Sequence, residues 1–189
     1  YHRLDRKTGM MDYLAIINEY DPSENDLRRI LLTHSRSVAD RCQKIARKHP
    51  ELRLDTEFLK EAAMLHDIGI FACDAPSIQC FGAEPYICHG FIGGRLLREK
   101  GLVRHAQVCE RHTGTGLSRE QIQKQNLPLP LEGQYEPDTL EEQVVCYADK
   151  FYSKTHLDLE RTVEQAARSL EKFGEAGLRR FFHWVDMFE

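Results

Sequence analysis

The sequence lacks the features that identify several common classes of protein. Its longest strictly apolar runs, such as 13–17 and 144–148, are far shorter than the roughly 20 residues that a helix needs to cross a bilayer. No cluster of Lys and Arg forms a basic face, and 26 basic residues are outnumbered by 30 acidic ones, for a net charge of −4. The composition therefore disfavours both a membrane span and the binding of duplex nucleic acid.

The cysteines and the N-terminus also lack recognisable motifs. Six cysteines are present, but none forms a CxxC pair, which excludes a zinc ribbon or a thioredoxin-type motif. A basic start followed by an apolar stretch would predict secretion, and the sequence does not show this pattern. A chain of 189 residues can also bury a sufficient core without disulfides. We therefore predict reduced, mostly buried thiols in a cytoplasmic protein.

Helical periodicity is the dominant pattern that the sequence does contain. Apolar residues recur every three or four positions from Asp26 to Lys48, where the His49-Pro50 pair ends the helix. The same reasoning predicts helices over 55–69, 87–100, 103–112, 118–125, 139–154, 158–173 and 175–188. No alternating strand pattern occurs. The predicted fold class is all-α, with pocket-shaping loops over 73–85 and 126–138.

A histidine and an aspartate, His66 and Asp67, close a strongly apolar predicted helix. Burial of an ionised carboxylate beside an imidazole is costly unless a cation compensates for it. A divalent metal ion is an economical cation here, because it accepts both groups as ligands. A simple hydrogen-bonded pair explains these two residues equally well.

Four further histidines and aspartates lie on other predicted helices, at His34, His89, His112 and Asp149. His34 lies on an apolar helix face, and Asp149 follows the apolar run 144–148. Each residue alone is more often structural than a metal ligand. Five helices that each deliver a His or an Asp to an inward face are difficult to explain without a shared ion.

The order His, His-Asp, His, His, Asp, centred on His66-Asp-Ile-Gly69, resembles the HD-domain superfamily of metal-dependent phosphohydrolases in its HDIG-type, small single-domain prokaryotic form. The segments Glu110-Arg-His-Thr-Gly114 and Tyr147-Ala-Asp-Lys150 extend this resemblance, which covers residues 31–155. The resemblance implies an all-α helical bundle. We interpret residues 10–189 as one such domain and residues 1–9 as a polar extension, either native or left by cloning.

The resemblance also implies a set of metal ligands. One ion would be held by His34, His66, Asp67 and Asp149. A second ion would be held by His89 and His112, with Asp67 bridging the two. A nitrogen and oxygen set without thiolate suits Fe, Mn, Zn or Ni, and the sequence does not select among these metals.

One position departs from the family pattern. Several branches carry a basic residue directly after HDIG that contacts phosphate, whereas this chain has Ile70. The nearest replacements by motif adjacency are Arg111, Lys150 and Lys154, although a solvated surface charge is the simpler interpretation of Lys154. This departure disfavours cyclic-dinucleotide cleavage. The predicted catalytic residues are His66, Asp67, Arg111 and Lys150.

The resemblance implies hydrolysis of a small phosphate ester, a nucleotide or a related mono- or diester, by a metal-activated water. The same ligands also occur in di-iron proteins that use O2 to cleave a carbon bond, which is an alternative function. A non-enzymatic metal-binding domain is a third alternative, and the intact ligand set argues against it. The aromatic face formed by Phe181, Trp184 and Phe188 is interpreted as core, with a homodimer contact as the alternative.

Overall fold

The computed structural model describes residues 11–189, so the predicted extension over 1–9 lies outside the described residues. Helices dominate this part of the chain, and the predicted all-α fold class is confirmed. They are α1 (Tyr13–Tyr20), α2 (Asp26–Lys48), α3 (Thr56–Leu65), α4 (His89–Glu99), α5 (Val103–Glu110), α6 (Arg119–Lys124), α7 (Leu140–Asp149), α8 (Val163–Leu170) and α9 (Glu175–Phe188). The sequence patterns predicted α2 and α9 with the observed bounds.

Side-chain caps explain where several of these helices begin. The capping boxes predicted at Ser118 and Thr139 are present at the starts of α6 and α7. Each hydroxyl accepts the backbone N–H three residues later, and the side chains of Gln121 and Glu142 accept the N–H of the capping residue. These bonds satisfy donors that the first helical turn leaves without partners.

Several helices end earlier than the periodicity predicted, and the two largest differences, at α3 and α7, lie beside candidate ligands. α3 ends at Leu65 rather than Gly69, and a 3-10 turn over Ile68–Ala72 follows it. α7 ends at Asp149 rather than Lys154, and an irregular turn follows. The early ends matter for the site, because they release the residues after each helix from the helical register.

The segment 73–85, predicted as a loop, contains a small sheet. Its strands are β1 (Cys73–Ala75), β2 (Cys80–Phe81) and β3 (Glu84–Pro85), in the order β2-β1-β3. β1 pairs antiparallel with β2 and parallel with β3. Strands of two or three residues are too short to show alternation, which is why the pattern did not predict them.

The core consists of apolar clusters that meet at the end of α3. Met64 belongs to the larger cluster, which α2, α3 and α7 form with α8 and α9. Leu65 belongs to a second cluster, which includes residues of α1, α4 and α5. His66 and Asp67 therefore follow α3 at the junction of two apolar regions, where an uncompensated charge would be costly.

The C-terminal aromatic face belongs to the larger cluster. Phe181, Trp184 and Phe188 are each at most 1% exposed and surround the ring of Tyr147. The prediction that this face is core is confirmed. All six cysteines are buried and free, also as predicted. Within residues 11–189, no helix has both the length and the apolar character to span a bilayer.

Candidate metal centre

The predicted ligands come from separate elements and converge in the interior. One group of side chains, with ligand atoms within 4.8 Å of one another, consists of His34, His66, Asp67 and Asp149. A second group consists of Asp67, His89 and His112. The structure thus brings all six predicted ligands together, and Asp67 belongs to both groups.

The first group places two imidazoles between two carboxylates. Oδ2 of Asp67 lies 3.2 Å from Nε2 of His34 and 3.1 Å from Nε2 of His66. Oδ1 of Asp149 lies 2.9 Å from the same His34 atom and 3.3 Å from the same His66 atom. Four ligand atoms from α2, α7 and the end of α3 therefore face a common centre.

The second group uses the other oxygen of the shared carboxylate. Oδ1 of Asp67 lies 3.2 Å from Nε2 of His89 and 3.2 Å from Nε2 of His112. The two Nε2 atoms lie 2.9 Å from each other. His89 begins α4, and His112 lies just after α5.

Three of the histidines have their ring orientation fixed in the same way. Nδ1 of His66, His89 and His112 lies 2.6, 2.6 and 2.7 Å, respectively, from the carbonyl oxygen three residues earlier. Because a carbonyl oxygen only accepts, Nδ1 donates, and Nε2 of the neutral ring carries a lone pair. These lone pairs face carboxylate oxygens or one another, an arrangement that a cation among them stabilises.

The contacts of Asp67 also fit a metal centre. The side chain is completely buried, and four imidazole nitrogens and one ammonium lie within 3.2 Å of its oxygens. Neither oxygen makes a hydrogen bond of good geometry, although buried carboxylates normally do. Short contacts with poor hydrogen-bond angles are typical of ligand atoms arranged around a shared cation. The donor set fits one or two divalent transition-metal ions.

Burial and charge shift the pKa values of the ligands. Burial lowers the pKa of His112 to about 4, so this imidazole is neutral at pH 7 and can bind a metal. Burial also lowers the pKa of His66, but Asp67 and Asp149 raise it by more, to about 10. The same negative field attracts a divalent cation, which competes with that proton.

Glycines allow the second group to approach the first. A Cβ at Gly69 would collide with the carbonyl oxygen of His89, and a Cβ at Gly90 would collide with the carbonyl oxygen of Cys109. Gly69 therefore lets α4 contact the backbone after Asp67, and Gly90 lets α4 contact α5. The glycine of the His66-Asp-Ile-Gly69 motif thus has a structural role in placing His89.

The predicted basic residues have different surroundings. Nζ of Lys150 donates to Oδ2 of Asp149 at 2.7 Å and to the carbonyl oxygen of His112 at 2.8 Å. The guanidinium of Arg111 pairs with the buried carboxylate of Glu142 at 2.5 Å and does not line the cavity beside the cluster. Lys150 therefore touches the candidate centre, and Arg111 does not.

Lys154 differs from its prediction. Its side chain is 13% exposed, and its Nζ lies 2.8 Å from Oδ2 of Asp67, so the expectation of a solvated surface charge was wrong. Burial lowers the pKa of Lys154, but the charge of Asp67 raises it by more, which keeps the ammonium protonated. The sequence predicted that the helix continues to position 154, and a residue on such a helix would not make this contact. In the structure α7 ends at Asp149, and the turn that follows brings Lys154 to Asp67.

A cavity of about 500 Å³ opens onto the cluster, and its wall includes His89, His112 and Asp149. Cationic side chains in the wall are Lys150, Lys154, Arg161 and Lys172. Among the described residues that line the cavity, Asp149 is the sole carboxylate. Basic side chains therefore outnumber carboxylates in the described wall of this cavity, in a chain of net negative charge.

One of the two loops predicted to shape the pocket lines the cavity, and the other does not. The segment 73–85 contributes Ala75, Ser77 and Ile78 to the wall. The segment 126–138 contributes none of the described lining residues, because Tyr135 pairs with Leu117 and holds the segment away. Its predicted role was wrong. His105, the other histidine close to the motifs, lies against Phe58 and Glu61 rather than in the cluster.

Comparisons with known proteins identify similar sequences and one matching family model. The chain is 31% identical over 160 residues to a tRNA (cytidine(56)-2'-O)-methyltransferase of Thermoplasma volcanium, covering 82% of this chain and 42% of the relative. A methyltransferase of the same name from Picrophilus torridus is 33% identical over 100 residues, covering 52% of this chain and 25% of the relative. The chain thus spans less than half of either methyltransferase.

An uncharacterized protein of Methanocaldococcus jannaschii is 29% identical over 130 residues, which is 68% of this chain and 69% of the relative. No solved structure matches the chain. The family model of the HD domain matches residues 31–153, a span that contains all six candidate ligands. Because this match covers more than half of the sequence, the chain belongs to the HD-domain family.

Proposed function

We propose that this chain hydrolyses a small phosphate ester, a nucleotide or a related mono- or diester, with water activated at the metal centre. The charge of the cavity carries the proposal. Four cationic side chains line it, and the one carboxylate in its described wall is the candidate ligand Asp149. Such a wall raises the local concentration of an anionic substrate beside the cluster.

The candidate ligands form two sets, one for each metal ion. One ion would be held by His34, His66, Asp67 and Asp149, and the other by Asp67, His89 and His112. Divalent ions held there would supply a water of lowered pKa and Lewis acidity toward a phosphoryl oxygen. No Ser or Cys nucleophile is needed for this reaction.

Other residues hold the ligands in place. Lys150 joins the two groups, because its ammonium contacts both the Asp149 carboxylate and the backbone of His112. Tyr86 positions His89 in two ways: its ring stacks on the imidazole at 4.4 Å between centroids, and its carbonyl oxygen accepts the Nδ1 proton. Partners of this kind orient ligands and tune their basicity.

The experiment is a substrate screen of protein loaded separately with Fe, Mn, Zn or Ni. Nucleotides and other phosphate mono- and diesters are incubated with each form under air and under nitrogen, and phosphate release and oxygen uptake are measured. Because two relatives are named as tRNA methyltransferases, phosphate esters derived from tRNA belong in the panel. We expect phosphate release, or cleavage of a diester to a monoester, at the same rate under both atmospheres.

Two variants make the screen specific. Asp67→Ala is expected to abolish turnover, whereas His183→Ala, an exposed histidine on α9, should retain it. Oxygen uptake that requires iron would instead support the di-iron alternative and contradict the proposal. A metal-loaded protein that turns over no ester and takes up no oxygen would support a non-enzymatic domain.

A further inference from the structure

The position that follows Gly69 cannot supply a cation to the site. Ile70 is completely buried and packs in the apolar cluster with Ile16, Ile17 and Leu97. A lysine or arginine there would have to bury its charge among apolar side chains, which is strongly unfavourable. Any positive charge that binds substrate beside Asp67 must therefore come from another element.

The three basic residues named from the sequence as phosphate contacts differ in how many protein groups they contact and in whether they line the cavity. Arg111 pairs with Glu142, and side-chain exposures of 12% and 2% show that this pair is shielded. Lys150 is buried and already uses two acceptors, Asp149 and the backbone of His112. Arg111 is thus paired and absent from the described cavity wall, and Lys150 already has two of its three ammonium donors in use, whereas the one carboxylate paired with Lys154 is Asp67.

Lys154 has a different environment. The irregular turn after α7 brings it back over the cluster, where its Nζ lies 2.8 Å from Oδ2 of Asp67 and 5.7 Å from the ring centroid of Tyr86. Its side chain also lines the cavity. Lys154 thus reaches both the shared carboxylate and the space that a substrate would occupy.

The carboxylate that Lys154 contacts has other partners. Oδ2 of Asp67 also faces Nε2 of His34 and of His66, which are candidate metal ligands. An ammonium has no lone pair and cannot be a ligand itself, so Lys154 can only add positive charge beside the centre. Its flexible stem and three donors suit an anion in the adjoining cavity.

From these contacts we infer that Lys154 binds the phosphate group of the substrate beside the metal centre and replaces the cation that position 70 does not provide. Lys150 is a positioning residue for Asp149, and Arg111 neutralises Glu142. This assignment rests on the proposed function, because it takes the ligand to be a phosphate ester. Lys154 is then a binding residue for the reacting group rather than a metal ligand.

The test is the binding of inorganic phosphate to metal-loaded protein, measured by calorimetry together with the metal content of each sample. We expect Lys154→Met to keep the wild-type metal content and to bind phosphate at least about tenfold more weakly, because a charged hydrogen bond is lost. Lys154→Arg should recover part of the affinity. Lys60→Met, which removes an exposed lysine of α3, should match the wild type.

Each contrary result has a separate meaning. A Lys154→Met protein with full metal content and wild-type phosphate affinity would overturn the assignment. Loss of metal or of the fold in Lys154→Met, with Lys154→Arg no better, would show that Lys154 acts by holding Asp67, and this result would also overturn it. If the metal-loaded wild type binds no phosphate, the assignment of Lys154 to a phosphate group is also overturned, whereas the proposed function fails only if the screen of phosphate esters finds no turnover.

Discussion

The two halves of the candidate metal centre share Asp67 but differ in charge and in support. The half that contains His34 and His66 has four ligand atoms, two of them carboxylate oxygens. The half that contains His89 and His112 has three ligand atoms, and the Asp67 oxygen is its sole anionic group among the described residues. A greater number of charged ligands favours tighter binding of a divalent ion, so the first half should have the higher affinity.

The two halves also differ in the elements that support them. The residues of the first half lie on α2 and α7 or directly follow α3, and these three helices pack together in the larger apolar cluster. The second half stands on the start of α4 and on the residues after α5, and it depends on close backbone contacts at Gly69 and Gly90. We conclude that packing fixes the first half, whereas glycine-dependent contacts fix the second half.

The largest effect is expected from the residue that both halves share. Asp67→Asn keeps the shape of the side chain but removes its charge, so both ions should be lost and turnover should fall to background. Elemental analysis and a substrate assay measure these effects. His183→Ala is the control, and retention of both ions by Asp67→Asn would show that the carboxylate does not bridge them.

The next effect separates the two halves. His112→Ala should lose one ion and retain the other, because the His112 imidazole belongs to the second group of ligand atoms and not to the first. His34→Ala should instead weaken the tighter site. Titration with Mn, followed by the stoichiometry of each variant, distinguishes these outcomes. Full activity and two ions in His112→Ala would eliminate the dinuclear part of the account.

A smaller effect should follow when the spacing between the halves changes. In Gly69→Ala the new methyl group would push α4 away, since it collides with the backbone of His89. We expect a loss of stability of about 1–3 kcal/mol and selective weakening of the second ion. Ile70→Val, which removes a buried methylene at a cost of about 0.5–1.5 kcal/mol, should leave metal binding unchanged. Denaturant titration and metal analysis of both variants make the comparison.

The smallest effect is expected at Tyr86. Tyr86→Leu removes the ring that stacks on His89 but keeps the backbone carbonyl that accepts the Nδ1 proton. Loss of an aromatic contact worth about 0.5–1.5 kcal/mol should weaken the second ion by about two- to tenfold. Tyr86→Phe keeps the stack and should bind like the wild type. Equal affinities in all three proteins would assign no role to the stacked ring.

The sequence predicted which side chains converge because most of them lie on or just after an apolar helical segment. Periodicity places His34 on the buried face of α2, and the apolar run before Asp149 indicates that this carboxylate starts from the interior. These are local patterns of helix amphipathicity. Convergence of the six side chains then follows from helix packing, which the family resemblance anticipated.

The surroundings of the ligands were harder to predict because they depend on non-helical segments. The position of Lys154 depends on the chain leaving α7 at Asp149, and helical periodicity does not mark that end. The displacement of 126–138 from the cavity depends on the contact between Tyr135 and Leu117, which are distant in the sequence. Loop positions set by tertiary contacts of this kind have no local signature.

The most direct test of the account is anomalous diffraction from crystals of the Mn-loaded protein. We expect two peaks on opposite sides of Asp67, one beside His34 and His66 and the other beside His89 and His112. A single peak, with His89 and His112 away from it, would contradict the shared carboxylate. Manganese peaks at other positions, with no peak among these side chains, would contradict the metal centre itself.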